Sequence, residues 1–168
     1  NLVTQFSPEA YRDEAHVDGT LAQFSAYYGA HSMDHTRPYS GIPALLSRLR
    51  DAGICLAVCS NKADDFSRQL IEHYFPSRFS LVRGKLDGVP VKPDPAVVSA
   101  ILEALHADPT TALFVGDSSV DIQTGHNAGL AACGVTWGFR SRQSLIDAGA
   151  DFLSDTADAL ERLILGSL

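Results

Sequence analysis

The chain has 168 residues, of which 45% are hydrophobic and 20% charged, and its formal net charge is −7. This length and composition suit a soluble globular protein of one substantial domain, or of one domain plus a small appendage. The negative charge and the lack of a Lys/Arg cluster exclude a nucleic-acid-binding surface. No apolar run approaches the roughly 20 residues that span a bilayer, and the polar start shows no signal peptide. We therefore expect a cytoplasmic protein that binds neither membrane nor nucleic acid.

Residues 1–37 and 38–168 differ in pattern, and we predict a domain boundary between them. Residues 7–28 have a helical pattern, with Ser7 as the N-cap and Pro8 at the first helical position. Gly19 weakens the middle of this pattern, so one helix and two helices both fit. No strand pattern occurs before Gly41.

From Gly41 onward, strand and helix patterns alternate, which predicts a parallel sheet with helices on both faces. The predicted fold is a Rossmann-like three-layer α/β/α sandwich. The turn residues Asp87-Gly88 add a small hairpin or flap. The predicted strands cover residues 54–59, 79–82, 112–115, 130–135 and 151–153, and the predicted helices cover 43–52, 63–73, 94–106, 119–127, 143–148 and 156–165.

Three cysteines, Cys55, Cys59 and Cys133, fall in apolar, strand-like runs. They form no Cys-x-x-Cys pair, so a metal or redox motif is not indicated. We predict that all three are buried, reduced thiols.

Two carboxylates follow the buried strand over residues 112–115, at the point where a helix begins. Ser118 and Asp121 have the spacing of a capping box. Asp117 comes at the carboxyl end of the strand, where open α/β sheets place their ligands. Two carboxylates in one crevice repel each other unless a cation lies between them, and Mg²⁺ prefers such oxygen ligands. The alternative is that Asp117 only ends a strand and Asp121 only caps a helix.

Two further polar groups follow strands or lie close to strand ends. Ser60 and Asn61 precede a helix, whose N-terminal N–H groups can hold a phosphate, although a plain N-cap is the alternative. Lys92 precedes a proline that stiffens its backbone, although such a lysine can also be an ordinary surface residue. A hydroxyl, an ammonium and a carboxylate pair at one sheet edge suit phosphoryl transfer.

These segments, in this order, resemble motifs two, three and four of the haloacid dehalogenase superfamily, in particular its phosphoglycolate phosphatases. The resemblance rests on Ser60-Asn61-Lys62, on Val91-Lys92-Pro93-Asp94-Pro95, on Val115-Gly116-Asp117-Ser118-Ser119-Val120-Asp121, and on residues 36–41, which resemble the return from a helical cap domain.

The resemblance implies a role for each site residue. Ser60 would bind the transferring phosphoryl group with help from Asn61, and Lys92 would neutralise the nucleophile and the phosphate. Asp117 would bind Mg²⁺ directly, and Asp121 would act in the same cluster, in one arrangement through water. The catalytic set would be Ser60, Lys92 and Asp117.

The first motif of the superfamily, Asp-x-Asp-Gly-Thr on a central strand, is absent from this chain. Residues 16–21 imitate it, but His16 stands at the nucleophile position and the segment lies in a helical pattern, so we interpret the match as a coincidence. Because the chain begins with Asn1, we expect a longer parent in which residues 1–37 end the cap domain and an upstream Asp is the nucleophile. The strands of Val58 and Phe114 should then not pair with each other.

The leading hypothesis is a Mg²⁺-dependent phosphatase acting on a small phosphorylated metabolite through an aspartyl-phosphate on the upstream Asp. The alternatives are a sugar-phosphate mutase of the same superfamily and a non-catalytic phosphate- or metal-binding module. The chain alone should have negligible activity. The substrate and the oligomeric state stay open. His31 and His35 have a zinc-like spacing but are interpreted as part of a solvated linker.

Overall fold

A computed structural model describes residues 7–166, and the chain divides between Arg37 and Pro38 into two compact units. In the first unit a 3₁₀ turn at Glu9–Tyr11 precedes helix α1, Glu14–His31. The predicted helix start at Ser7 is therefore wrong. Asp13 is the N-cap, because its side chain accepts a hydrogen bond from His16 N.

Helix α1 runs through Gly19 without a break. Residues 16–21, the segment that imitates an Asp-x-Asp motif, lie within this helix, as predicted. His31 is its last residue and its Nδ1 lies 2.7 Å from Asp34 Oδ2, with both side chains about half exposed. Within the described residues no group of three or more His, Cys, Asp or Glu side chains could hold a metal.

In the second unit the strands of the described residues form two separate parallel sheets. One sheet pairs β1, Ala57–Ala63, with β2, Leu81–Lys85. The other has the order β3-β4-β5, where β3 is Leu113–Gly116, β4 is Ala131–Val135 and β5 is Phe152–Ser154. The prediction that the strands of Val58 and Phe114 do not pair with each other is thus confirmed.

Helices alternate with these strands along the chain, which confirms the predicted α/β class. Most of their bounds lie within one or two residues of the predicted ones. The helices are α2 (Ile42–Asp51), α3 (Asp64–Tyr74), α4 (Ala96–Leu105), α5 (Ser119–Asn127), α6 (Arg142–Asp147) and α7 (Ala157–Leu165).

Strand β4 lies at the centre of the core and is covered on both faces. Cys133 and Val135 pack with α2 and α7, through residues such as Leu45 and Leu160. On the opposite face Ala132 packs with Ile122 of α5 and Leu145 of α6. The largest fully buried side chains of residues 7–166 are Leu45, Ile122, Thr124, Cys133, Leu145 and Ser154. Alternation along one strand thus builds two apolar layers, as expected for a three-layer sandwich.

Strand β1 differs most from its prediction, since it covers 57–63 rather than 54–59. Its register with β2 shifts between Cys59 and Ala63, so Ser60, Asn61 and Lys62 lie in a bulged extension of the strand. A bulge redirects side chains, and periodicity does not reveal it. Polar side chains that were expected just after the strand therefore lie on it.

Two burial predictions are wrong. Cys55 is exposed because it precedes β1 rather than lying within it, whereas Cys133 is buried and Cys59 half-buried, and all three thiols are free. Val115 was predicted to be covered on both faces but is 39% exposed. Strand β3 has a neighbour on one edge only within the described residues.

Of the predicted hairpin or flap, the hairpin does not form. A turn forms at Asp87-Gly88, where Val89 N donates to Leu86 O, but no second strand follows it before α4. None of the helices in the described part of the chain has the length and apolarity needed to cross a membrane.

Candidate active site at the carboxyl ends of β1 and β3

The turn after β3 fixes Asp121 by a complete capping box. Ser118 Oγ accepts a hydrogen bond from Asp121 N, while Asp121 Oδ2 accepts hydrogen bonds from Ser118 N at 3.1 Å and Ser118 Oγ at 2.6 Å. A Cβ atom at Gly116 would overlap the Asp121 side chain, so the strand can end there only with glycine. The predicted capping box is confirmed.

Lys92 neutralises the other oxygen of Asp121. The distance from Lys92 Nζ to Asp121 Oδ1 is 2.7 Å, and the two side chains are only 12% and 10% exposed. The ammonium also lies 5.8 Å from the centre of the Phe114 ring. A carboxylate buried to this extent is costly unless it is paired, and both of its oxygens are paired here. Lys92 is therefore a residue of the site and not a free surface lysine.

Asn61 holds the backbone of Lys92 through both ends of its side-chain amide. Asn61 Nδ2 donates to Lys92 O at 3.0 Å, and Lys92 N donates to Asn61 Oδ1 at 2.9 Å. This reciprocal pair resembles a rung of a sheet ladder and joins β1 to the segment before α4. Asn127, at the end of α5, adds a third tie by donating to Pro93 O at 2.9 Å.

Ser60 stands between Cys59 and Asn61 on the bulged part of β1. Its Oγ accepts a hydrogen bond from Lys62 N at 3.1 Å, and among the described residues none joins it to Lys92, Asp117 or Asp121. Burial raises the pKa of the Cys59 thiol, with the Lys92 ammonium lowering it and the Asp121 carboxylate raising it. Cys59, in the middle of β1, therefore lies within electrostatic range of the Lys92–Asp121 pair.

Asp117 makes a different set of contacts. Its Oδ2 accepts a hydrogen bond from Phe139 N at 2.8 Å, while within residues 7–166 its Oδ1 accepts none. The segment 137–140, which follows β4, therefore contacts Asp117 and borders the candidate site. No sequence pattern indicates the Phe139 N–H itself, because a backbone donor leaves no trace in residue type.

The structure thus joins Asn61, Lys92 and Asp121 directly, places Asp117 on the same turn as Asp121, and leaves Ser60 adjacent to Asn61. The donor set fits Mg²⁺, since two carboxylates supply hard oxygen ligands. Among residues 7–166, Oδ1 of Asp117 accepts no hydrogen bond and so could bind the metal directly, whereas both oxygens of Asp121 are engaged, which suits contact through water. A separate surface depression of about 390 Å³ lies between α5 and α6, lined by Ser119, Gln123, Ser141, Gln143, Ser144 and Asp147, and contains none of these five residues.

Comparison with known proteins places this geometry in a family. The family of haloacid dehalogenase-like hydrolases matches residues 2–135. A phosphoglycolate phosphatase of Aquifex aeolicus is 34% identical over 124 residues, which are 73% of this chain and 58% of that protein. An N-acetylmuramic acid 6-phosphate phosphatase of Pseudomonas aeruginosa is 30% identical over 158 residues, covering 90% of this chain and 70% of that protein.

Solved structures agree with this match. The crystal structure of a "predicted phosphatase" from Clostridium acetobutylicum superposes with a TM-score of 0.84 at 32% identity, covering 98% of this chain and 77% of that chain. The chain spans somewhat less than three fifths of the first curated relatives that it matches, at 58% and 57% of their lengths. The expected relationship is confirmed, and the chain belongs to the haloacid dehalogenase-like hydrolases.

Proposed function

We propose that the whole protein is a Mg²⁺-dependent phosphatase that hydrolyses a small phosphomonoester of the phosphoglycolate type in the cytoplasm. The observation that carries the proposal is the contact chain from Asn61 to Lys92 to Asp121. It brings three segments that are far apart in sequence to one edge of the fold, next to Asp117. Relatives named as phosphatases of phosphoglycolate and of N-acetylmuramic acid 6-phosphate support a small phosphorylated substrate.

Each residue has a role that follows from its chemistry. The Lys92 ammonium would neutralise charge on the phosphoryl oxygens, and the Ser60 hydroxyl would donate a hydrogen bond to one of them. Asn61 would keep the Lys92 backbone in place through its two hydrogen bonds. Asp117 would hold Mg²⁺ with help from Asp121. The metal, when bound, would supply further charge neutralisation and orient the phosphoryl group.

We further propose that a strand carrying the nucleophilic Asp lies between β1 and β3 in the whole protein. Both strands end at the same site, yet they belong to separate sheets within the described residues. An unpaired strand edge leaves backbone N–H and C=O groups without partners, so a parallel strand placed there would satisfy both edges. Residues 1–37 would then be the last part of a helical cap domain.

Phosphate release tests this function. The 168-residue chain alone should turn over neither p-nitrophenyl phosphate nor 2-phosphoglycolate, because it lacks the nucleophile. A longer protein with an upstream Asp-x-Asp segment should release free phosphate only with Mg²⁺. Lys92→Ala should abolish that release, whereas Lys85→Ala, at an exposed position on β2, should not.

Other outcomes would replace the proposal. Robust turnover by residues 1–168 would refute the need for an upstream nucleophile. An isomerised sugar phosphate without free phosphate would indicate a mutase, and phosphate binding without turnover in the longer protein would indicate a binding module.

A further inference from the structure

The loop between β4 and α6 approaches the candidate metal ligand from the neighbouring strand. Strands β3 and β4 are paired in parallel, and Gly116 lies opposite Gly134 near the ends of both. The loops after these strands therefore leave the sheet at the same edge. Asp117 lies on the first loop, and Gly138 and Phe139 lie on the second.

Phe139 contacts Asp117 through its backbone and not through its ring. Phe139 N donates to Asp117 Oδ2 at 2.8 Å, while the phenylalanine side chain is 91% exposed. A hydrogen bond from a backbone N–H to a carboxylate is charge-assisted and hence stronger than a neutral one. The exposed ring contributes no burial that would by itself fix the position of the loop.

Gly138 lets this contact form. A Cβ atom at Gly138 would overlap Cβ, Cγ and Oδ2 of Asp117, so any side chain there must displace the carboxylate or the loop. Gly138 is not among the residues with a positive φ, so the requirement is for space and not for a left-handed backbone. The loop and the carboxylate therefore pack as one unit.

The two carboxylate oxygens of Asp117 have different surroundings. Oδ2 is held by Phe139 N, and among the described residues Oδ1 has no hydrogen-bond donor. Asp121 differs, because Lys92 and Ser118 engage both of its oxygens. A carboxylate fixed by one oxygen loses little rotamer freedom when the other binds a cation, which improves affinity.

We propose that the Gly138-Phe139 backbone positions Asp117, holding Oδ2 so that Oδ1 faces a divalent cation. The inference rests on the proposed function, since it assigns the supporting residues of that same metal site. Gly138 and Phe139 are positioning residues, because they act through Asp117. Contacts of this kind around a metal ligand typically change metal affinity by about 10–100-fold.

Metal affinity tests the proposal in the 168-residue chain. Isothermal titration with MgCl₂ should show that Gly138→Ala weakens Mg²⁺ binding at least about tenfold. Phe139→Pro, which removes the N–H and puts the ring Cδ in its place beside Asp117 Oδ2, should have a similar effect. Phe139→Ala keeps the N–H, so its Mg²⁺ affinity should lie within about twofold of that of the unsubstituted 168-residue chain. That change is smaller than any loss expected when such a contact is broken.

A second readout separates positioning from a general loss of structure. In ¹H–¹⁵N spectra without metal, the Phe139 amide should move upfield in Asp117→Ala, while amides of β5 stay in place. Combining Asp117→Ala with Gly138→Ala should weaken Mg²⁺ binding no more than Asp117→Ala does alone. Additive losses would mean that Gly138 acts elsewhere.

The results distinguish this inference from the function on which it rests. The positioning role alone is overturned if Gly138→Ala binds Mg²⁺ as tightly as the unsubstituted 168-residue chain. It is also overturned if the chemical shift of the Phe139 amide does not change in Asp117→Ala. Intact Mg²⁺ binding without phosphate release by the longer protein overturns the phosphatase proposal and leaves the positioning role standing. If the unsubstituted 168-residue chain binds no Mg²⁺, the positioning role is overturned, and phosphate release by the longer protein still decides the phosphatase proposal.

Discussion

The two sheets of the second unit are stabilised in different ways. Strand β4 of the three-stranded sheet is covered on both faces, and Ala132 and Cys133 are fully buried. No residue of β1 is buried, and in β2 only Gly84 is. The apolar core around β4 therefore has no counterpart of similar burial in the strands of the β1–β2 sheet.

Polar contacts connect the two sheets at the candidate site. Asn61 holds the Lys92 backbone, and the Lys92 side chain reaches Asp121 beyond β3. These same residues form the candidate site. The described residues contain no strand between β1 and β3. The residues of the candidate site therefore link the two sheets in addition to any catalytic role.

The largest expected effect comes from matched leucine truncations in the two sheets. Leu145→Ala removes a side chain that is fully buried against β4, and should lower the free energy of unfolding by about 3 kcal/mol. Leu81→Ala removes a half-buried side chain of β2 and should cost about 1 kcal/mol, because less apolar surface returns to water.

Urea unfolding followed by circular dichroism measures both values. Equal costs for the two leucines would remove the contrast between the sheets. A larger cost for Leu81 would reverse it.

Local patterns in the sequence predicted much of the fold because they encode local physics. Ser118 and Asp121 form the predicted capping box, and Thr156 caps α7 by accepting from Ala159 N. The alternation of strands and helices was also predicted, since buried runs and amphipathic runs differ in period. These features need no knowledge of distant neighbours.

Features that depend on distant neighbours were missed. The Lys92–Asp121 pair joins residues 29 positions apart, whereas Lys92 was expected to neutralise the nucleophile and the phosphate. Cys55 was expected to be buried because the strand start was placed three residues early. The Phe139 N–H on Asp117 follows from the β3–β4 pairing, which the sequence order alone does not dictate.

Breaking the ion pair should have the next largest effect. Lys92→Met leaves Asp121 poorly solvated and without its cation, and should lower the free energy of unfolding by about 2 kcal/mol, less than for a fully buried pair because both groups keep some exposure. Adding Asp121→Asn should recover part of this loss, since no unpaired charge is then left behind.

Amide hydrogen exchange shows which strands lose stability in Lys92→Met. In Lys92→Met, amides of β1 and β2 should exchange faster by a larger factor than those of β4, if Lys92 joins the two sheets. Uniform acceleration would mean that the pair stabilises the whole unit, and no acceleration would mean that it joins nothing.

The smallest effects concern one carboxylate in each region. The Arg68 guanidinium, followed by the Gly84 N–H, lowers the pKa of Asp64 beside β2. The Ala132 N–H, followed by His126, lowers the pKa of Asp151 beside β4. A carboxyl whose pKa is lower in the folded than in the unfolded state stabilises the fold above its unfolded pKa. That contribution is lost as the pH falls through the folded pKa.

Both contributions should therefore be complete above about pH 5 and decline below the ordinary carboxyl pKa of 3.8. Asp64 has an 11% exposed side chain and Asp151 a 44% exposed one, so solvent screens the second more strongly. In unfolding curves between pH 3 and pH 7, Asp64→Asn should flatten the acid side of the stability profile more than Asp151→Asn does. If Asp151→Asn flattened the profile more, polar contacts would contribute less to the stability of the β1–β2 sheet than to that of the region around β4.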